Sequence, residues 1–252
     1  MMYRQETQQI VSNFDHGLYS KLANNSAFLA GGALTSIFSG RTVNDFDLYF
    51  RSNTGRENVS TYLNTSSDYD KVVESPNALT YQSDNQTLQL VKLNEFIGTP
   101  EEILNKFDFT INQAAFDFET KEFLLGDRFL QDLAKQRLKF NKNTPYPINS
   151  LIRLEKYINR GFKINAIEGA KLGLSIREIK INTLGELKEH LRGVDLTLLQ
   201  NFFDDLNNDE EFELDDFLTR LNRYLNQSTN ELFPDDAQEE FDFSDEELDI
   251  PF

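Results

Sequence analysis

The sequence contains no cysteine, no tryptophan and two histidines among its 252 residues. Without cysteine there is neither a disulfide framework nor a thiolate zinc site, and His16 and His190 stand too far apart in sequence to suggest a ligand cluster. A reducing compartment, the cytoplasm, is expected. The opening MMYRQETQQIVSNF is too polar for a secretory signal. No run approaches the roughly 18 apolar residues of a membrane helix, so no membrane partner is expected. Basic residues are scarce in one place: positions 204–252 hold 2 Lys+Arg against 18 Asp+Glu, whereas 1–203 hold 23 against 24. The formal charge of −17 therefore belongs to the C-terminal fifth, and the rest is near neutral. Hydrophobic residues make up 39%, with 22 Phe and 9 Tyr, enough for a folded body.

Along that body, Ile10, Val11, Phe14, Leu18 and Leu22 predict one amphipathic helix over 5–24. SAFLAGGAL reads as a buried strand entering a glycine turn, and TSIFSG as a short helix. VNDFDLYF alternates Val43, Asp45, Asp47 and Tyr49 against Phe46, Leu48 and Phe50, which puts both aspartates on one side of a strand. RSNTGREN reads as a loop before a helix near 57–65, and LTYQS with TLQLVKLN as a hairpin. TPEEILNKF opens a helix with Thr99 as N-cap and Pro100 in the first turn. FTINQAAFDFE and EFLLGD predict a second strand pair, and RFLQDLAKQRLKF a helix. From 149 the periodicity is helical. The stretch 121–163 is the distinctly basic one, with ten Lys+Arg against four acids. After about Asn230 there are ten acids and no base, a composition unable to offset its ordering entropy and therefore expected to be a disordered tail.

Chemistry concentrates near residue 40. Gly31-Gly32 after a buried strand lets backbone N–H groups approach phosphate oxygens, and the following helix adds a favourable dipole. Thirteen residues beyond Gly32, Asp45-x-Asp47 sets two carboxylates about 6–7 Å apart along a strand, suited to a hard, oxygen-seeking cation. Two such ions about 4 Å apart can activate an attacking hydroxyl and neutralise a leaving pyrophosphate.

AGGALTSIFSGRTVNDFDLYF resembles the signature of the polymerase-β-like nucleotidyltransferase superfamily, nearest its tRNA CCA-adding and bacterial poly(A) polymerase branch. FDFTINQAAFD (107–117), GDRFLQDLAKQRLKF (126–140) and SLIRLEKYINRGFKI (150–164) resemble further segments of that branch, matching at Asp108, Asn112, Asp132, Leu133, Arg137, Leu138 and Arg153. The resemblance spans about 25–165. It implies an α/β (α+β) nucleotidyltransferase head with a mixed sheet over 1–140; with the helical periodicity and the tail composition it gives a helical neck and body over 141–230 and an acidic tail over 231–252. It further implies Mg²⁺ or Mn²⁺ on Asp45 and Asp47, with Asp108 as a third catalytic carboxylate or a sugar ligand. A nucleoside triphosphate would be held by Gly31, Gly32, Thr35, Ser36, Arg41, Asn112 and Arg153, with Arg51 as a further candidate. The acceptor hydroxyl is expected on an RNA 3′ end first, with a small molecule or a protein side chain as the alternatives.

The sequence departs from the branch at named positions. Thr35-Ser36 stand where Arg-Asp is usual, Gln89 where a third carboxylate is expected on a later strand, and Asn149 and Ser150 where the base-reading acids of the neck belong. Asp108 or Glu95 could replace the missing carboxylate. Asn112 and Asp132 also read as fold-stabilising residues, and Arg137 as a surface helix charge.

The ending FDFSDEELDIPF closely resembles the acidic tip of bacterial single-stranded-DNA-binding proteins. Asp249, Ile250, Pro251 and Phe252 would offer a rigid apolar anchor beside carboxylates, fitting an apolar pocket rimmed by Lys/Arg. Proteins that recognise such tips are the expected partners. Two readings follow: a metal-dependent nucleotidyltransferase carrying a docking peptide, or a catalytically weak scaffold of that fold that recruits or competes for DNA replication and repair proteins through its tail.

Overall fold

The computed structural model describes residues 3–191 and, further on, 200–204, 206–207, 210–213, 215–217, 219–221 and 223–224. The tail 231–252, with Asp249 to Phe252, lies outside the described residues. The described residues fall into two compact units, one of 3–180 with 190–191, the other of 181–189 with the described residues from 200 on.

The first unit is organised by a seven-stranded sheet. Its strands are β1 (Ala27–Ala30), β2 (Asp45–Phe50), β3 (Asp70–Glu74), β4 (Ala78–Gln82), β5 (Thr87–Val91), β6 (Ala114–Asp117) and β7 (Phe123–Leu125), in the order β3-β4-β5-β2-β1-β6-β7. All neighbours are antiparallel except β2 and β5, where Asp47 pairs with Gln89. Phe46, Leu48 and Phe50 of β2 are buried against helices α1 (Arg4–Asn13), α2 (His16–Asn24), α3 (Gly32–Phe38) and α4 (Asn53–Thr65), which contribute Ile10, Leu18, Leu22, Leu34, Val59 and Leu63. Each such fully buried side chain contributes roughly 1.5–3 kcal/mol relative to exposure.

Several boundaries differ from the sequence expectation for local reasons. The helix over 5–24 is two helices, because the Asp15 side chain accepts the Leu18 N–H and starts α2 anew. The 51–58 stretch is mostly helical rather than loop: Ser52 caps α4 by accepting from Gly55 N–H, and a side chain at Gly55 would run into the Asn25 carbonyl. Strand β3 went unrecognised. FTIN begins with a 3₁₀ turn over Thr110–Asn112 rather than a strand. The helix α6 (Phe129–Ala134) stops early, since Gln136 adopts φ 49°, and Arg137–Leu138 form β8 instead. The helix α5 (Pro100–Leu104) carries the anticipated cap, with a reciprocal bond from Thr99 N–H to the Glu102 carboxylate.

Helices α7 (Pro147–Asn159) and α8 (Ala166–Arg177) also belong to the first unit, with the strand β9 (Lys163–Ile164) between them paired to β8. In the second unit, α9 (Leu184–His190) is preceded by a bridge between Thr183 and Glu211, and α10 (Gln200–Asp204) brings Phe202 and Phe203 against Phe217. No helix among the described residues is long and apolar enough to cross a membrane.

Candidate active site

Gly31 turns the chain from β1 into α3 with φ 82°, a conformation that L side chains rarely adopt. Its N–H is held by the Ala114 carbonyl, and Gly32 begins the helix with open space around its α-carbon. This turn places Gly32, Ala33 and Ser36 along a cleft whose other walls are Val43 to Asp45 and Asp47 on the sheet side and, on the other, Arg153, Lys156 and Tyr157 of α7 with Arg160 at its C-cap. Residues 153, 156, 157 and 160 repeat at the spacing of one helix face. Three cations on that face meet the two carboxylates of β2.

The carboxylates are poorly compensated. Asp45 Oδ2 has a long contact, 3.4 Å, with the Gln89 amide of β5. Burial, then the adjacent Asp45 charge, push the Asp47 carboxyl up to about 7, against the pull of Arg153 and Lys156. Such a pair fits a divalent cation: hard oxygen donors, side by side, whose mutual repulsion a cation would relieve. Gln89 sits in register with Asp47, so the neighbouring strand presents an amide where a third acid would complete the set. Among the described residues no three His, Cys, Asp or Glu side chains are grouped to hold one ion.

Asp108, expected as that third carboxylate, is placed differently. It is buried before the 110–112 turn, where Oδ1 accepts from Phe109 N–H and Asn112 Nδ2, and Oδ2 lies 3.2 Å from Arg153 Nη1. Asn112 is the centre of this hub: its Oδ1 accepts from Tyr157 Oη at 2.9 Å and from Thr35 Oγ1 at 3.2 Å. Tyr157 Oη in turn accepts from Arg153 Nη2. Burial works against the Arg153 cation, but Asp108 and the tyrosine hold its pKa above the usual value. Burial likewise raises the Tyr157 phenol.

The remaining candidates divide. Ser36 lines the cleft, whereas the Thr35 hydroxyl is buried and reaches the Ile111 carbonyl at 2.7 Å, so it is occupied within the fold. Arg41 donates to the Arg160 carbonyl and lies over the Phe162 ring. Arg51 binds Asp117 and the Ser26 carbonyl. Neither arginine is among the cleft's lining residues. Asp132 is fully buried between Thr110, Arg128 and Arg137, which makes it a fold-stabilising residue and makes Arg137 its ion-pair partner on a strand, not a helix charge. Lys156 and Arg160 were overlooked as site residues. Their signal was the i, i+3, i+7 spacing from Arg153, which acquires meaning once α7 is known to face β2.

Solved structures share this architecture. A tRNA-processing enzyme in an apo form superposes with a TM-score of 0.52 at 16% identity, over 93% of this chain and 67% of that one. The Thermotoga maritima CCA-adding enzyme complexed with tRNA gives 0.51 at 18% identity, over 90% of this chain and 55% of that one. A CCA-adding enzyme with ATP gives 0.52 at 17%, over 90% and 55%. The fold is thus nucleotidyltransferase-like. In sequence, the chain is 32% identical over 223 residues to "Gabija anti-defense 2" of Bacillus phage SPbetaL7, covering 88% of this chain and 54% of that protein, so it spans about half the length of the phage relative. Residues 2–136 match the Gabija anti-defense 2 family protein as a family, and the chain belongs to it.

Proposed function

We propose that the cleft between β2 and α7 binds a nucleoside triphosphate and transfers its nucleoside monophosphate to an acceptor hydroxyl, an RNA 3′ end being the first candidate. On this reading the transfer serves the anti-defense role carried in the family name, in a phage-infected bacterial cell. The carrying observation is the set of three cations, Arg153 and Lys156 on α7 and Arg160 at its C-cap, that line the cleft with the carboxylates Asp45 and Asp47. Arg153, Lys156 and Arg160 neutralise the polyphosphate, and Ser36 is at hand to donate to a phosphate oxygen. Asp45 and Asp47 would hold Mg²⁺ or Mn²⁺, which when bound supplies charge neutralisation for the leaving pyrophosphate. The acceptor oxygen forms the new bond to the α-phosphorus as the bond to the β-phosphate bridge breaks; pyrophosphate leaves and the hydroxyl proton passes to solvent.

The test is incubation of the full chain with α-labelled NTPs, Mg²⁺ or Mn²⁺, and RNA, DNA or protein acceptors, beside Asp45→Ala/Asp47→Ala. Label incorporated by the native chain and absent with the double variant is the expected result. No incorporation on any acceptor overturns catalysis.

That outcome would favour the second reading, a nucleotide-binding scaffold acting by contact, for which Gln89 in place of an acid is the specific observation. The segment Asp249-Ile250-Pro251-Phe252 is proposed, on sequence alone, as a docking peptide for proteins that recognise single-stranded-DNA-binding protein tails. Removal of Phe252 is expected to abolish their capture.

A further inference from the structure

Far from the cleft, β3 forms one edge of the seven-stranded sheet and is exposed along its whole length. It pairs with β4 alone, and among the described residues no backbone hydrogen bond outside that ladder involves 70–74. An unpaired strand edge is a template for another extended chain. A bulge sets Val72 beyond the register, between the pairs Lys71 with Tyr81 and Val73 with Thr80, and leaves Val72 49% and Val73 52% exposed. Lys71, whose charge ordinarily guards such an edge, is drawn to Glu74 at 2.9 Å, a carboxylate that Lys92 also reaches at 3.3 Å.

Beside this edge runs a groove of about 960 Å³, reached by Asp70 and Val72 of β3 and closed by the Ser83–Gln86 turn and the α1–α2 junction. Its charged lining is Asp15, Asp68, Asp70 and Asp84, with no Lys or Arg. None of the four forms an ion pair among the described residues. Asp15 is fixed there by the α2 cap and by Tyr69 Oη at 3.3 Å.

We infer that β3 and the adjoining groove form a docking surface for a basic, extended peptide segment of another protein, which adds an eighth strand to the sheet. Main-chain bonds to β3 supply register, Val73 meets apolar side chains of the added strand, and Lys or Arg residues on the face shared by Asp70 and Val72 enter the acidic groove. The same acids oppose a second copy of this chain: antiparallel self-pairing centred on Val72 sets Asp70 opposite Glu74, like against like. Charge complementarity therefore selects the basic partner.

The test uses the full chain with a fluorescein-labelled KVKVKVK peptide, with EVEVEVE as control, read by anisotropy and by amide hydrogen exchange. Binding of the basic peptide alone is expected, with slowed exchange at alternate amides of 70–74. Affinity should weaken about tenfold in Asp70→Lys/Asp84→Lys, both exposed positions, and on raising salt with the native chain. The inference is overturned by failure of KVKVKVK to bind, by equal binding of EVEVEVE, by binding without protection at 70–74, or by protection of those amides through self-association in the absence of peptide.

Discussion

The cleft and the polar hub behind it draw on the same helix, yet their polar groups are in opposite states. In the hub, Asn112 donates to Asp108 and accepts from Tyr157, Thr35 is occupied by the Ile111 carbonyl, and Asp132 is enclosed by three partners. In the cleft, Asp45 has one long contact, from Gln89, and repels Asp47, while Lys156 and Arg160 make no ion pair among the described residues. Matched polar groups hold a fold in place; unmatched ones of opposite sign, facing each other across open space, are what a charged ligand with its cation would complete. Candidate residues drawn from one resemblance thus separate into two kinds, and their variants should separate too.

The largest effect on stability is expected from Asn112→Ala, which leaves the buried Tyr157 hydroxyl without its acceptor and removes a donor from Asp108. Unfolding in denaturant should show a loss of about 3 kcal/mol. A loss below about 1 kcal/mol would break the distinction between hub and cleft. Next, Lys156→Ala/Arg160→Ala should weaken NTP binding in equilibrium dialysis about tenfold or more with the midpoint of thermal unfolding unchanged; a lowered midpoint with unchanged affinity reverses the assignment. Then comes pH. Because folding raises the Asp47 pKa, the native state holds the extra proton, so the stability this group contributes is present at low pH and is lost as pH rises from its unfolded value through about 7. Divalent cation affinity should rise over the same interval as that proton is displaced, and Asp47→Asn should flatten both profiles, followed by calorimetry. The smallest effect is expected from Arg41→Ala: about 1 kcal/mol from its bond to the Arg160 carbonyl, with nucleotide affinity unaltered.

What the sequence disclosed follows from where each signal resides. The alternation through β2 announced the strand and the shared face of Asp45 and Asp47, because burial of Phe46, Leu48 and Phe50 enforces a period of two. The Thr99 cap announced α5, because its donors and acceptors lie within four residues. Strand β3 gave no alternation because it is exposed on both faces. Thr35 and Arg41 looked like phosphate ligands because the partners that occupy them, Ile111 and Arg160, are 76 and 119 residues away. Lys156 and Arg160 were legible as charges but not as site residues, since their role depends on how α7 lies over the sheet.

The pairing of β2 with β5 is the sole parallel one in the seven-stranded sheet, and α4, β3 and β4 intervene between its strands. The antiparallel meander of β3, β4 and β5 closes through short connections, whereas the Asp47–Gln89 register closes a loop of some forty residues at a larger entropic cost. That pairing is therefore expected to form after the local meander, and before the pairing of β1 with β6, whose register of Phe28 with Asp117 closes a longer loop still. A lengthened connection between α4 and β3 is expected to slow the arrival of Gln89 beside Asp47 without touching the cleft, so the flank of the acidic pair depends on chain that lies outside the cleft.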